Sequence, residues 1–326
     1  MEIAKALILA ADGPDGRRCA LAPSSPPHLF PVANRPILFH NLEALRAAGI
    51  LEASILAGGE TGAAIRRAVG DGRHWGLTLR HAEWHAELGL GGALDGARDF
   101  LAGEPVLVQR GDALLRERMH SHICAFAREE LDALALRLTQ PVAPATPGYL
   151  LSPRAVRILR EGPAAPDGPI AGVLAGGGRV REQPVDGCLP CDGDVESLLE
   201  GNRRMLESLE CAVPPEAVED CRVQGAVEIH ATARVKRTLL RGPLVIGPGA
   251  RITDAYVGPY SSIGAGVVIE GTEIEHSIVL PEATLCFVGT RIESSVIGRG
   301  ARVVRDFQLP GALRLAIGDG AEIVLR

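Results

Sequence analysis

Lysine is nearly absent from this chain. Of 34 basic residues only Lys5 and Lys236 are lysines, the rest being arginines. Chemistry that needs a mobile ammonium has only those two positions to draw on. Thiols and imidazoles are the other reactive groups. Cys188-Leu-Pro-Cys191 is a CxxC pair, a spacing that serves zinc ligation or dithiol chemistry when a second pair completes it, and no second pair follows. A nucleophilic thiol with a histidine base and inert buried thiols are the other readings, and the sequence leaves all of them open. His120 and Cys124 are four apart, on one face of a helical stretch that also holds His122. That spacing fits a solvated face better than a ligand set.

The elements that must position these groups have two textures. Up to about residue 210, short apolar runs alternate with Ala/Leu/Arg-rich stretches of helical period. Residues 3–11, 51–57 and 105–109 read as strands, with a further strand at Gly148. Residues 35–48, 61–69, 119–129 and 195–209 read as helices, the first with Ile37, Leu38, Leu42 and Leu45 as its apolar positions. This alternation predicts a mainly parallel sheet with helices on its faces. Pro214-Pro215 breaks the last helix, so 211–219 reads as a linker.

Beyond residue 222 the pattern changes. Val223, Ile229 and Val235, then Ile246, Ile252, Val257, Ile263, Ile269 and Ile274, then Ile292, Ile297 and Val303, recur at roughly six-residue steps, and Gly follows Ile246, Ile263 and Ile297. A hexad with β-branched residues predicts a parallel β-helix whose coils each have three short flats, the apolar residue pointing inward. The tail, 313–317 and 323–325, reads as closing strands. Two domains follow, 1–212 and 213–326.

The stretches Lys5-Ala-Leu-Ile-Leu-Ala-Ala11, Phe30-Pro-Val-Ala-Asn-Arg-Pro-Ile37, Leu88-Gly-Leu-Gly-Gly-Ala93, Gly111-Asp112, Leu198-Leu-Glu-Gly-Asn-Arg203 and Gly258-Pro-Tyr-Ser-Ser-Ile-Gly264 resemble the sugar-phosphate nucleotidyltransferases, most of all the long-form glucose-1-phosphate thymidylyltransferases. The resemblance implies an α/β, Rossmann-like nucleotidyltransferase domain followed by a left-handed parallel β-helix. It also implies a reaction in which a sugar-1-phosphate attacks the α-phosphorus of a nucleoside triphosphate and releases pyrophosphate. Such a site must cradle phosphates on backbone N–H groups and neutralise charge with cations and Mg²⁺.

Placed on the family's motifs, the phosphate loop becomes Ala11-Asp-Gly-Pro-Asp-Gly-Arg-Arg-Cys19, with Gly13 and Gly16 as its glycines and Arg18 as the phosphate-binding arginine. Asp12 and Asp15 add negative charge there, and Pro14 lacks an N–H. Pro27-His28 stands where the family has Pro-Lys, so a mostly neutral imidazole replaces an ammonium. Gly111-Asp112 keeps the Mg²⁺ carboxylate. The interval 113–147 is short and lacks the Glu-Lys-Pro motif that contacts the sugar. At the second Mg²⁺ position stands Cys191, with Asp192 beside it. Trp84 takes the place of the base-reading Gln, ahead of Gly89. The resemblance therefore implies Arg18, His28 and Asp112 as catalytic candidates. It gives Gly13, Gly16, Trp84, Gly89 and Gly111 as substrate-binding candidates, and Asp112, Asp192 and Cys191 as metal candidates.

A net charge of −6 and a pI near 5.9 give no field to attract nucleic acid. No apolar run reaches the ~20 residues of a membrane span, and seven scattered cysteines fit reduced thiols in the cytoplasm. The expectation is a thymidylyltransferase-like protein with an eroded site, weakly active or non-catalytic, acting through a nucleotide or sugar-phosphate ligand or a partner subunit such as an active paralogue. One alternative is an active enzyme for an unusual sugar- or cyclitol-phosphate using Mg²⁺. The other is a repurposed Cys/His or Zn²⁺ enzyme in the same cleft. The resemblance further implies a homo-oligomer, dimer or tetramer.

Overall fold

The computed structural model describes residues 3–10, 26–115, 119–139, 146–162, 167–190 and 195–305. Seven strands form the first sheet: β1 (Lys5–Leu9), β2 (Glu52–Leu56), β3 (Thr78–Ala82), β4 (Val106–Arg110), β5 (Ala133–Leu138), β6 (Gly148–Leu151) and β7 (Val180–Val185). Their spatial order is β7-β5-β6-β4-β1-β2-β3. All neighbours run parallel except β6, which is antiparallel to β4 and to β5. Ala6, Leu7 and Ile8 of β1 are all fully buried, as expected of a central strand covered on both faces. Ala6 and Ile8 join one apolar cluster with Leu38, Leu42 and Leu45 of α1 (Ile37–Ala47). Leu7 joins another with Ala93 and Leu94 of α3 (Gly89–Gly96). Apart from a single turn at Arg98–Leu101, the remaining described helices are α2 (Gly59–Val69), α4 (Met119–Arg128), α5 (Pro153–Glu161), α6 (Pro169–Ala175) and α7 (Val195–Leu206).

Sequence periodicity finds β1, β2, β4 and β6 and misses both edge strands and the inner strand β5, whose Ala-Leu-Ala-Leu-Arg-Leu is made of helix-forming residues. β3 and β7 are the outermost strands and carry Arg80, His81, Arg181, Glu182 and Gln183, so neither presents an apolar run. Helix α7 stops at Leu206, three residues before the expected end.

From Val218 onward the chain coils into three all-parallel sheets, the parallel β-helix that the hexads predict and that the resemblance implies to be left-handed. Successive coils are offset by about 17 residues, as in the register Val235↔Ile252↔Ile269↔Leu285. These side chains point inward with Leu240, Val257 and Ile274 of the second sheet and Ile246, Ile263 and Val279 of the third, and all are essentially fully buried. At one corner Asp220, Arg237, Asp254, Gly271 and Phe287 stack, each with a positive φ. Ala212 bridges to Glu228, so the linker lies along the β-helix as an extra pairing. The expected closing strands at 313–317 and 323–325 lie outside the described residues.

The third sheet of the β-helix docks on the α/β domain. Ile278 and Leu280 pack with Phe30, Val32, Ile37, Leu198 and Leu199. Asn202, fully buried on α7, ties the junction. Its Oδ1 accepts from Ser262 Oγ at 2.6 Å and from the Ala33 N–H at 2.9 Å, and its Nδ2 donates to the Tyr260 carbonyl at 2.9 Å. Asn34 Nδ2 donates to the Ile263 carbonyl at 2.7 Å.

Candidate functional site

The order of the sheet locates the cleft. From β1 the chain proceeds outward to β2 and β3, then crosses back to place β4 on the other side of β1. In open parallel sheets ligands bind outside the carboxyl ends of the strands at such a switch point. Gly111-Asp112 follows β4 there, and the segment that leaves β1 is the expected phosphate loop. Gly13, Gly16, Arg18 and Cys19 of that loop lie outside the described residues, as do Cys191 and Asp192.

Three predicted residues come together at the switch point. His28 sits in a single helical turn, Pro27–Leu29, and is 3 % exposed. A Cβ on Gly111 would lie 3.0 Å from His28 Cδ2 and 3.1 Å from Ile8 Cγ2, so glycine at that position lets the imidazole close on the strand end. Asp112 follows directly. Burial works to raise its carboxyl, but the hydrogen bonds and charge of Arg110, helped by His28, hold it below the usual carboxylate value. Arg110 Nε donates to Oδ1 at 2.9 Å and Nη2 to Oδ2 at 2.7 Å.

The backbone beneath is fixed by a buried relay. Gln109 Nε2 donates to Asn41 Oδ1 at 2.9 Å, Asn41 Nδ2 donates to the Gly111 carbonyl at 3.0 Å, and the Gly111 N–H donates to the Leu9 carbonyl at 2.8 Å. Asn41 on α1 thus holds the β4 turn while the loop before α1 carries His28. That loop is in turn anchored through Ala33 and Asn34 to α7 and the β-helix.

The other predicted residues lie apart. Trp84 follows β3 at the same edge of the sheet, but its ring is 8 % exposed within the cluster of Leu7, Leu56 and Ala93, and its buried Nε1 has no hydrogen-bond partner. Gly89 begins α3 with a positive φ and open space around it. Next to Trp84, the His85 ring closes on Gly58, where an added Cβ would lie 2.8 Å from it. Cys188 pairs with Leu114 in a two-strand ribbon and packs against Phe30, Leu198 and Leu199. Burial pushes its thiol up to about 12. His120 Nε2 lies 3.4 Å from Cys124 Sγ on an exposed face of α4. Neither lysine reaches the cleft. Lys5 opens β1 at the opposite edge, bonded to Glu104 at 2.7 Å, and Lys236 pairs with Glu219 on the β-helix. Among the described residues no group of three or more His, Cys, Asp or Glu could hold a metal. No described helix is long and apolar enough to cross a membrane.

Arg110 and Asn41 escaped the sequence reading. For Arg110 there was a signal: two residues before Asp112, it shares the carboxylate's face if the strand alternation continues into the turn. For Asn41 there was none, because its partners lie about seventy residues away.

The sequence model of the family described as nucleotidyl transferase matches residues 5–167. A glucose-1-phosphate thymidylyltransferase of Streptomyces griseus is 34% identical over 97% of this chain and 98% of its own length. The chain belongs to the nucleotidyl transferase family. The glucose-1-phosphate thymidylyltransferase of Streptomyces antibioticus is 30% identical over 99% of both chains. The low-salt glycan biosynthesis nucleotidyltransferase of Haloferax volcanii is 28% identical over 98% of this chain. A solved Bacillus anthracis chain, whose proposed activity is glucose-1-phosphate thymidylyl transfer, superposes with a TM-score of 0.54 at 18% identity. It covers 64% of this chain and 97% of that one, and shows the shared fold.

Proposed function

We propose that this chain is a glucose-1-phosphate thymidylyltransferase-like protein whose cleft keeps its architecture and has lost most of its catalytic charge, leaving a weakly active or non-catalytic, ligand-binding or partner-subunit role. The observation that carries this reading is the Arg110 fork on Asp112. The family reaction draws on Mg²⁺ to offset the repulsion between two phosphate-bearing anions. Both oxygens of the only described candidate ligand accept from a guanidinium instead, so the described residues do not fit Mg²⁺. Zinc finds no support in Cys188, whose buried thiol stays protonated at neutral pH. His28 supplies an imidazole where an ammonium is expected. Loss of one charge-stabilising group costs about 10²–10³ in rate.

The near full-length match to thymidylyltransferases favours a second reading, an active nucleotidyltransferase in which Arg18, His28, Asp112 and Asp192 do the work. A coupled pyrophosphate assay separates the two. The chain is offered each nucleoside triphosphate with glucose-1-phosphate and related sugar- and cyclitol-phosphates, in Mg²⁺. No turnover above background is expected, and turnover above ~1 s⁻¹, an ordinary enzyme value, would overturn the leading reading.

A further inference from the structure

The carboxylate of Asp112 is saturated from within the chain. Arg110 meets both oxygens, Nε donating to Oδ1 at 2.9 Å and Nη2 to Oδ2 at 2.7 Å. A guanidinium is planar, permanently protonated and matched to a carboxylate in two-point contact, which no lysine can reproduce. The Asp112 side chain is only 15% exposed, so little of it remains open to an incoming ion. The turn is also held in place. The Gly111 N–H is fixed on Leu9, its carbonyl is fixed by Asn41, and the His28 ring packs against its α-carbon. Mg²⁺ binds carboxylates while keeping several waters and demands octahedral geometry. To enter, it would have to displace the fork and then sit beside the expelled guanidinium, like charge against like.

We propose that Arg110 is the resident cation of Asp112 and that this carboxylate takes no divalent metal ion. Any phosphate-bearing ligand would then meet fixed protein cations and N–H groups in this part of the cleft. The inference rests on reading the cleft as the nucleotide site, but its test needs neither nucleotide nor turnover. Mn²⁺ alone serves as the probe, its free fraction read by electron paramagnetic resonance against the full chain. Four proteins are compared: wild type, Asp112→Asn, Arg110→Gln and the double variant.

Wild type and Asp112→Asn are expected to give the same isotherm. Arg110→Gln is expected to gain a site binding about tenfold or more tightly than any in wild type, the scale on which a contact charge shifts affinity. The double variant should lose that site again. A wild-type Mn²⁺ site that Asp112→Asn abolishes would overturn the proposal, as would an Arg110→Gln protein, folded by circular dichroism, that gains nothing. Should Arg110→Gln not fold, the comparison of wild type with Asp112→Asn decides alone. Failure here leaves the pyrophosphate assay to judge the nucleotide reading separately.

Discussion

Replacing Asn202 by alanine should loosen the whole α/β domain, although the residue touches no expected ligand. Its amide meets three buried partners: Ser262 Oγ, the Ala33 N–H and the Tyr260 carbonyl. A typical internal hydrogen bond contributes about 1 kcal/mol net, and a buried group left without a partner costs about 1–3 kcal/mol. The loss is therefore about 3 kcal/mol at the low end. For a domain of this size each kcal/mol lowers Tm by roughly 2–4 °C, so a fall of about 6–12 °C is expected. Trp75 and Trp84 are the only tryptophans and both lie in the α/β domain, so thermal unfolding followed by their fluorescence reports that domain by itself. Ser262→Ala, which removes one of the three contacts, should cost about 1 kcal/mol in the same assay. An Asn202→Ala protein within about 2 °C of wild type, well short of that range, would refute the claim that this amide fastens the His28 loop and the β-helix to α7.

Two further outcomes follow from the same geometry. Hydrogen bonds from Arg203 and then Arg204 bring the Glu200 carboxyl down to about 2 from an ordinary 4.5. Its stabilisation is therefore complete above pH 4.5 and lost as pH falls toward 2. Because the side chain is 35% exposed, screening reduces the effect to about 1 kcal/mol. Glu200→Gln should lower stability at neutral pH by that amount, a fall in Tm of roughly 2–4 °C, and flatten the acid limb, and an unchanged pH profile would contradict it. Native alkylation with iodoacetamide at pH 8, read by peptide mapping, should label exposed Cys124 and Cys211 and spare Cys188, buried and pushed up to about 12. Labelling of Cys188 at the rate of Cys124 would refute its placement in the apolar junction.

Much of the architecture was legible because it is local and repetitive. Each coil of the β-helix buries the same kind of side chain at the same place, so Ile246, Ile252 and Ile269 announce the interior without any long-range information. The central strand β1 is legible for a similar reason: burial on both faces turns it into a continuous apolar run. Edge strands β3 and β7 were not, since solvent on one side allows Arg80, His81 and Glu182 where a core strand would have valine, and neither was buried β5, because its alternating Ala and Leu are helix formers without β-branched residues.

At the site, types and spacing alone brought His28, Gly111 and Asp112 into view as candidates, and fixed that neither lysine stands at the Pro27-His28 position. What only tertiary structure decided is the state of those groups. Whether Asp112 is an open ligand or a filled one depends on the rotamer of Arg110 and on the turn that Asn41 pins from another element. Whether His28 is loose or buried depends on the packing of Gly111 beneath it and on the anchoring of its loop by Asn34 and Asn202 to a domain more than two hundred residues away. A carboxylate's charge is written in its sequence. Its counterion and its solvent exposure are set by neighbours, and neighbours are assigned by the fold.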